Sequence, residues 1–170
     1  MKTTTSTAVY SLSYRDSRAY TMAALFVAGN ILLPQLCHLV PQGGLVWLPI
    51  YFFTLVAAYK YGLAAGLLTA LVSPIANSLL FGMPAAAVLP VILTKSALLA
   101  LAAAFIASRV RRVALWAVAL VVLAYQGIGT LAEWGMVGSL VDALQDVRMG
   151  WPGILVQVFG GFAVMKIFKK

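Results

Sequence analysis

The hydrophobic pattern of the chain consists of long apolar runs separated by short polar segments or by segments rich in Gly and Pro. Runs of roughly 20 apolar residues are typical of helices that cross the ~30 Å hydrocarbon core of a membrane. A transmembrane β-barrel would instead require ~10-residue stretches of alternating apolar and polar residues, which the sequence lacks. The pattern therefore predicts an all-α integral membrane bundle of six transmembrane helices. These helices are predicted approximately at residues 20–36, 45–58, 63–80, 86–107, 113–137 and 152–166.

The composition supports this interpretation and leaves little room for a second domain. The chain has 170 residues, of which 63% are hydrophobic and 9% charged, and its mean hydropathy is +0.99. Soluble globular proteins contain only about 45–50% apolar residues. Residues 1–19 are polar and lack the apolar stretch of a secretory signal, so we expect them to remain attached as a cytoplasmic tail. The transmembrane bundle is expected to occupy residues 20–170.

The positions of the basic residues predict the orientation of the bundle. If the amino terminus is inside, ten of the 12 basic residues lie on the inner side, and the positive-inside rule then predicts an N-in/C-in topology. Because these residues flank apolar runs, the net charge of +8 favours contact with anionic lipid, and we expect no nucleic-acid partner. The ten residues are Lys2, Arg15, Arg18, Lys60, Arg109, Arg111, Arg112, Lys166, Lys169 and Lys170.

Strongly polar side chains gather in the predicted outer half of the bundle. Polar groups within a membrane avoid lipid and face the bundle interior or water, so this distribution favours a substrate-binding site that opens outward. Each residue also has an ordinary interpretation, since a histidine or tryptophan often lies at the membrane interface and an amide often joins two helices. The candidate substrate-binding residues are His38, Trp47, Asn77, Lys95, Gln126, Glu133 and Gln157.

Lys95 is the most informative of these residues because it is a charged group in the fourth predicted helix, near the predicted midplane of the membrane. A lysine at the centre of a spanning helix costs ~2.5–3.5 kcal/mol on insertion scales. The residue therefore requires a partner, and Glu133, a helix carbonyl and a bound anion are the candidates. The alternatives to a ligand role are a structural ion pair with Glu133 and a side chain that extends to the membrane surface.

The motifs expected of an enzyme are missing from the sequence. There is no Gly-x-x-x-x-Gly-Lys-Ser/Thr phosphate-binding loop and no Gly-x-Ser-x-Gly nucleophile motif. One histidine and one cysteine leave no ligand set for a catalytic metal or for paired-histidine haem ligation. We therefore expect a protein that is not an enzyme and that uses no cofactor or metal.

Three segments resemble the substrate-binding S-components of energy-coupling factor (ECF) vitamin transporters. They are residues 47–50 (WLPI), 61–66 (YGLAAG) and 73–84 (SPIANSLLFGMP), and the resemblance is best over residues 47–107. It implies uptake of a vitamin or related small solute, which is captured at the outer face of a bacterial or archaeal cytoplasmic membrane. It also implies partners, namely a transmembrane coupling subunit and two cytoplasmic ATPases that supply the energy.

Two further expectations depend on single residues. Ala24 and Ala28 form a small-x-x-x-small stripe that allows another helix to approach closely, either within the bundle or from a partner; the resemblance implies docking of the coupling subunit there. Lys95 stands where related proteins are expected to have an acidic residue, which favours a ligand that bears a carboxylate or phosphate. The alternative function is a non-transporting membrane scaffold, similar to the small cell-shape membrane proteins of this architecture.

Overall fold

The computed structural model describes residues 9–168, in which every regular element is helical. The all-α class predicted from the sequence is confirmed. Four of the helices, α1, α4, α5 and α6, are long and apolar enough to cross a membrane, as expected for a multi-pass membrane protein. The α-helices in chain order are α1 (Ser17–Cys37), α2 (Gly43–Trp47), α3 (Phe52–Tyr61), α4 (Leu63–Phe81), α5 (Leu89–Val110), α6 (Leu115–Val137), α7 (Leu140–Ala143), α8 (Gln145–Arg148), α9 (Trp151–Leu155) and α10 (Gly161–Ile167).

The ends of the long helices follow from local sequence. The side chain of Asp16 accepts a hydrogen bond from the backbone N–H of Arg18 at 2.9 Å and so caps the start of α1. Gly82 and Gly138 directly follow α4 and α6 and cap their ends. Their φ angles of 67° and 74° are left-handed and therefore favour glycine. Short turns then reverse the chain, so that α4, α5 and α6 pack sequentially as antiparallel neighbours.

Helix α3 lies at the centre of the bundle, in contact with α1, α4 and α5. Four consecutive residues of this helix, from Leu55 to Ala58, are completely buried. The long helices around it expose apolar side chains on their outer faces, including Leu32 on α1, Leu79 on α4 and Leu123 on α6. An apolar exterior of this kind suits lipid as the surrounding medium.

The second and sixth predicted spans differ from the structure. The run at residues 45–58 is divided into α2, a 3₁₀ turn (Pro49–Tyr51) and α3, because Leu48 has a left-handed φ of 46° and Pro49 follows it. With 10 residues, α3 is only ~15 Å long. The last run forms α9, a π-helical segment (Val156–Gly160) and α10, together shorter than the four long helices. The structure thus supports four spans, while six spans and the N-in/C-in orientation stay predictions.

The helix order gives the bundle two chemically different ends. The basic end contains the start of α1, the α3–α4 corner at Lys60 and the α5–α6 corner at Arg111. Residues 9–12 of the predicted tail also pack here, because the backbone N–H of Tyr10 donates to the carbonyl of Lys60 at 2.7 Å. The opposite end, which we call the acidic end, contains the end of α6 and the connection at residues 138–150, with Glu133 and Asp146.

Candidate functional site

A buried ion cluster joins α5, α6 and the connection that follows α6. The ammonium of Lys95 lies 2.6 Å from Glu133 Oε2 and 2.6 Å from Asp146 Oδ2. The lysine side chain is 2% exposed, and those of Glu133 and Asp146 are 17% and 15% exposed. Of the partners considered for Lys95, the structure therefore supplies Glu133 and adds a second carboxylate. The lysine does not extend to the membrane surface.

Gly129 explains how the lysine side chain reaches this position. It lies about one helical turn before Glu133 on α6, and a Cβ atom placed on it would be 3.1 Å from Cγ of Lys95. The aliphatic part of Lys95 thus passes over the bare backbone of Gly129. Because any larger residue would occupy the same space, this glycine allows the ammonium to reach the carboxylate one turn further along the helix.

The ion cluster forms part of the wall of a cavity of about 390 Å³ at the acidic end. Lys95, Glu133 and Asp146 contribute the charged part of the wall, together with Asp142. Tyr51 and apolar side chains from the α2 region and the start of α5 contribute the rest. Sites for small molecules in proteins have this character, with apolar walls and a few convergent polar groups.

A second cavity of about 330 Å³ lies beside the first and shares wall residues with it, among them Leu45 and Ile92. Its wall includes His38 and Asn77, two of the residues selected from the sequence. The structure therefore places His38, Asn77, Lys95 and Glu133 around two adjoining cavities at one end of the bundle.

Most of the hydrogen-bonding capacity of Asn77 is used inside the bundle, within α4 and between α4 and α1. Its Nδ2 donates to the carbonyl of Asn30 at 2.8 Å and to that of Ser73 at 3.0 Å. Asn30 itself donates to the Thr54 hydroxyl at 3.0 Å, and its Oδ1 accepts from the backbone N–H of Phe53 at 3.1 Å. This network joins α1, α3 and α4, so helix packing accounts for much of the role of Asn77.

Gln126 and Gln157 meet deeper in the bundle through the hydroxyl of Tyr125. This hydroxyl donates to Gln157 Oε1 at 2.7 Å and accepts from Gln126 Nε2 at 3.2 Å. Gln157 lies in the π-helical segment, a distortion that is frequent at functional sites. Four buried polar atoms in this region and beside the ion cluster have no hydrogen-bond partner within residues 9–168, namely Gln126 Oε1, Gln157 Nε2, Thr130 Oγ1 and Ser96 Oγ.

Trp47 is not part of either cavity wall. Its side chain is 41% exposed at the end of α2, and its backbone carbonyl packs against α9, where a Cβ atom on Gly153 would be only 2.4 Å from the carbonyl oxygen. The structure thus separates Trp47 from the other candidate residues and leaves its side chain on the outer surface, which suits an interfacial tryptophan.

Ala24 and Ala28 lie on the outer face of α1 and are exposed, whereas Ala23, Phe26 and Asn30 of the same helix are buried. Among residues 9–168, the small-residue stripe is therefore not part of the buried interior of the bundle. It remains accessible to a helix from outside the chain.

Several contributors to the cavity region were not selected from the sequence, among them Asp142, Asp146, Tyr51 and Tyr125. Asp142 and Asp146 lie in a polar stretch between the fifth and sixth predicted helices, although the chain has just four acidic residues and each therefore carries weight. Tyr51 and Tyr125 lie in apolar runs, where a tyrosine cannot be distinguished from an interfacial aromatic residue. Among the described residues, no group of three His, Cys, Asp or Glu side chains is arranged to hold a metal ion.

No protein-family model, curated protein or solved structure matches the chain.

Proposed function

We propose that the protein is the membrane-embedded capture subunit of an uptake system and binds a small vitamin-like solute in the cavity at the acidic end. The observation that supports this most directly is the buried Lys95–Glu133–Asp146 cluster in the wall of a cavity of about 390 Å³. Ionisable groups inside a membrane protein are costly, and they mark substrate or ion sites far more often than lipid-facing structure.

Stability alone is a poor explanation for the cluster. A buried ion pair rarely stabilises a protein more than apolar side chains of the same volume would, because removing both charges from water is expensive. A cluster that also lines a cavity has a second use, since its polar atoms are available to a molecule that enters.

In this proposal the energy for uptake comes from other subunits, which agrees with a sequence that contains no phosphate-binding loop. In the ECF-type arrangement that the sequence resembles, a transmembrane coupling subunit and two cytoplasmic ATPases would supply it. The exposed Ala24 and Ala28 of α1 offer a partner helix two small side chains about one turn apart, which is the usual requirement for close helix contact in lipid. The subunit would lie in a bacterial or archaeal cytoplasmic membrane with the basic end inside.

Native mass spectrometry of the full chain, purified in a mild detergent, tests the proposal. We expect a fraction of the protein to carry a small-molecule mass increment. Ile92 lines both cavities, so Ile92→Trp should fill the space and remove the increment. Leu123→Trp is the matched control, because Leu123 is 66% exposed on the outer face of α6 and distant from both walls.

Two results would contradict solute capture. One is a wild-type protein without any increment under conditions that keep it folded. The other is an Ile92→Trp variant that is folded and still carries the same increment as the Leu123→Trp control. Either result would favour the scaffold function, in which partner helices are bound and the cavities are not filled.

A further inference from the structure

The acidic residues of this basic protein are concentrated at one site. The chain contains only four acidic residues, and three of them, Glu133, Asp142 and Asp146, line the cavity of about 390 Å³. Among the described residues, Lys95 is the one basic side chain in that wall. One positive and three negative groups give the wall a formal excess of two negative charges, in a protein whose net charge is +8.

We infer that the captured solute is a small organic cation, an inference that rests on the proposed function and deepens it. A solute with one positive charge would reduce the negative excess of the wall, whereas an anion would add to it. Like charges brought together in a partly buried site repel strongly because the surrounding dielectric is low. The charge balance of the cavity therefore selects for a cation.

Carboxylate oxygens are available to receive this cation. Lys95 contacts Glu133 Oε2 and Asp146 Oδ2, and within residues 9–168 no donor bonds the second oxygen of either carboxylate. The Asp142 carboxylate likewise receives no hydrogen bond from the part of the chain that the structure describes; its backbone N–H donates to Ser139 Oγ. A cationic N–H group bound to such oxygens would form charge-assisted hydrogen bonds, which are about twice as strong as neutral ones.

Lys95 has a different role in this arrangement from the one expected from the sequence. The preference for an anionic ligand depended on a lysine whose charge was available. In the structure two carboxylates already balance that charge. Lys95 is therefore a positioning residue, which holds Glu133 and Asp146 side by side so that their remaining oxygens converge.

The rest of the wall favours an organic cation over a metal ion. Apolar side chains such as Leu48, Val91 and Val137 form much of the cavity and would not replace the hydration shell of a metal. Tyr51 adds an aromatic ring to the wall, and its ring packs against Tyr125 with centroids 5.6 Å apart. Aromatic rings attract organic ammonium groups through their faces. A cationic amine or a positively charged heteroaromatic molecule fits this wall.

The test begins with the full-length protein purified from expressing cells. Native mass spectrometry measures the fraction that carries a bound molecule, which is then released by denaturation and passed over a cation exchanger and an anion exchanger at neutral pH. In parallel, benzylamine, benzyl alcohol and benzoate, which share a ring and differ in charge, are added at millimolar concentration in a thermal-stability assay. We expect retention on the cation exchanger and the largest stabilisation from benzylamine.

Variants of the acidic residues show whether the site requires a positively or a negatively charged solute. Glu133→Gln and Asp146→Asn should each lower the apparent affinity for benzylamine by roughly tenfold or more, because each removes a charged acceptor. If the solute were an anion, the same changes would release Lys95 and strengthen binding. Asp16→Asn is the matched control, since it neutralises the remaining acidic residue at the start of α1 and should change nothing in the cavity.

A further variant avoids the ion cluster altogether, because Glu133 and Asp146 also support the fold. Asp142 is exposed, and no described residue bonds its carboxylate. Asp142→Asn should therefore fold normally and lower the affinity for benzylamine by about threefold, as expected for a charge at the rim of a site.

The remaining outcomes separate this inference from the proposed function. A released molecule that binds the anion exchanger or neither exchanger would overturn the cation assignment and leave solute capture standing. A larger stabilisation by benzoate, or a gain of benzoate affinity in Glu133→Gln, would do the same. If no bound molecule is found and none of the three compounds stabilises the protein, both the cation assignment and solute capture are wrong.

Discussion

The ammonium of Lys95 and the carboxylate of Asp146 lie 2.6 Å apart although 51 positions separate them in the chain. Asp146 belongs to α8, which has four residues and little packing of its own. The contact with Lys95 therefore helps fix the connection after α6 against α5, over one end of the cavity. The geometry of the site and the path of the chain after α6 therefore both depend on the charge of Lys95.

Removal of Lys95 alone should be strongly destabilising. Lys95→Met leaves the Glu133 and Asp146 carboxylates together without a counter-charge, and the loss of one partner from a buried cluster typically costs about 3–5 kcal/mol. The triple variant Lys95→Met/Glu133→Gln/Asp146→Asn removes all three charges and should recover most of this loss. Unfolding of the purified proteins in detergent, followed by circular dichroism, measures both changes. A Lys95→Met protein as stable as the wild type would refute the structural role of the cluster.

Asn30 should be important for the start of α3. Its Oδ1 accepts the backbone N–H of Phe53, one of the N–H groups at the start of a helix that have no partner within it. Asn30→Leu leaves this buried donor unpaired, so we expect a loss of about 1–3 kcal/mol in unfolding free energy. Leu32→Ala on the same helix is the control, because Leu32 is 64% exposed, and its effect should stay within about 0.5 kcal/mol. Equal effects of the two variants would contradict the capping role.

A pair of glycines tests the close contact between α3 and α4. A Cβ atom on Gly66 would lie 2.4 Å from Cβ and 2.7 Å from Cα of Ala58, so Gly66→Ala must move the two helices apart. We expect a loss of about 1–3 kcal/mol from this overpacking. Gly127→Ala on α6 meets nothing within 4 Å and should gain about 0.5–1 kcal/mol through reduced backbone entropy. Thermal unfolding of both variants in one detergent measures the two stability changes. Changes of the same sign would contradict the close contact between α3 and α4.

The exposed stripe on α1 should affect partner contact and not solute binding. Ala24→Leu/Ala28→Leu adds bulk at two positions that are exposed in the described part of the chain, so folding and the bound fraction in native mass spectra should be unchanged. Solute uptake by cells should fall at least about tenfold if a partner helix packs there, since tight packing is the main attraction between helices in lipid. Leu25→Ala, a change at an exposed position beside the stripe, is the control. If this double variant took up solute as well as the wild type, the partner would have to contact a surface other than the Ala24–Ala28 stripe.

The four long helices could be predicted from the sequence because length and hydrophobicity specify a spanning helix almost by themselves. The same signal does not decide the role of residues 45–58, since a run of apolar residues describes a lipid-facing span and a fully buried core helix equally well. The left-handed conformation of Leu48 and the burial of α3 on all sides depend on the neighbouring helices. Hydropathy along a chain does not contain that information.

The candidate site was predictable to a similar degree. The cost of an intramembrane charge required a partner for Lys95, and the register of two adjacent antiparallel helices made Glu133 a candidate. Asp146 was not predictable, because it lies in a connection of short helices whose path is decided by tertiary contacts. The second carboxylate is one basis of our inference of a cationic ligand, because a prediction from Lys95 alone leaves out the charges of its neighbours.

The distribution of charge along the bundle also has a mechanical consequence. With Lys60 and Arg111 at one end and Glu133 and Asp146 at the other, the folded chain is an electric dipole aligned with its long helices. A membrane voltage does work of about 2.3 kcal/mol per elementary charge for each 100 mV crossed. Any tilt of the bundle moves these charges through the field, so the resting voltage of the cell contributes directly to the free energy of tilting.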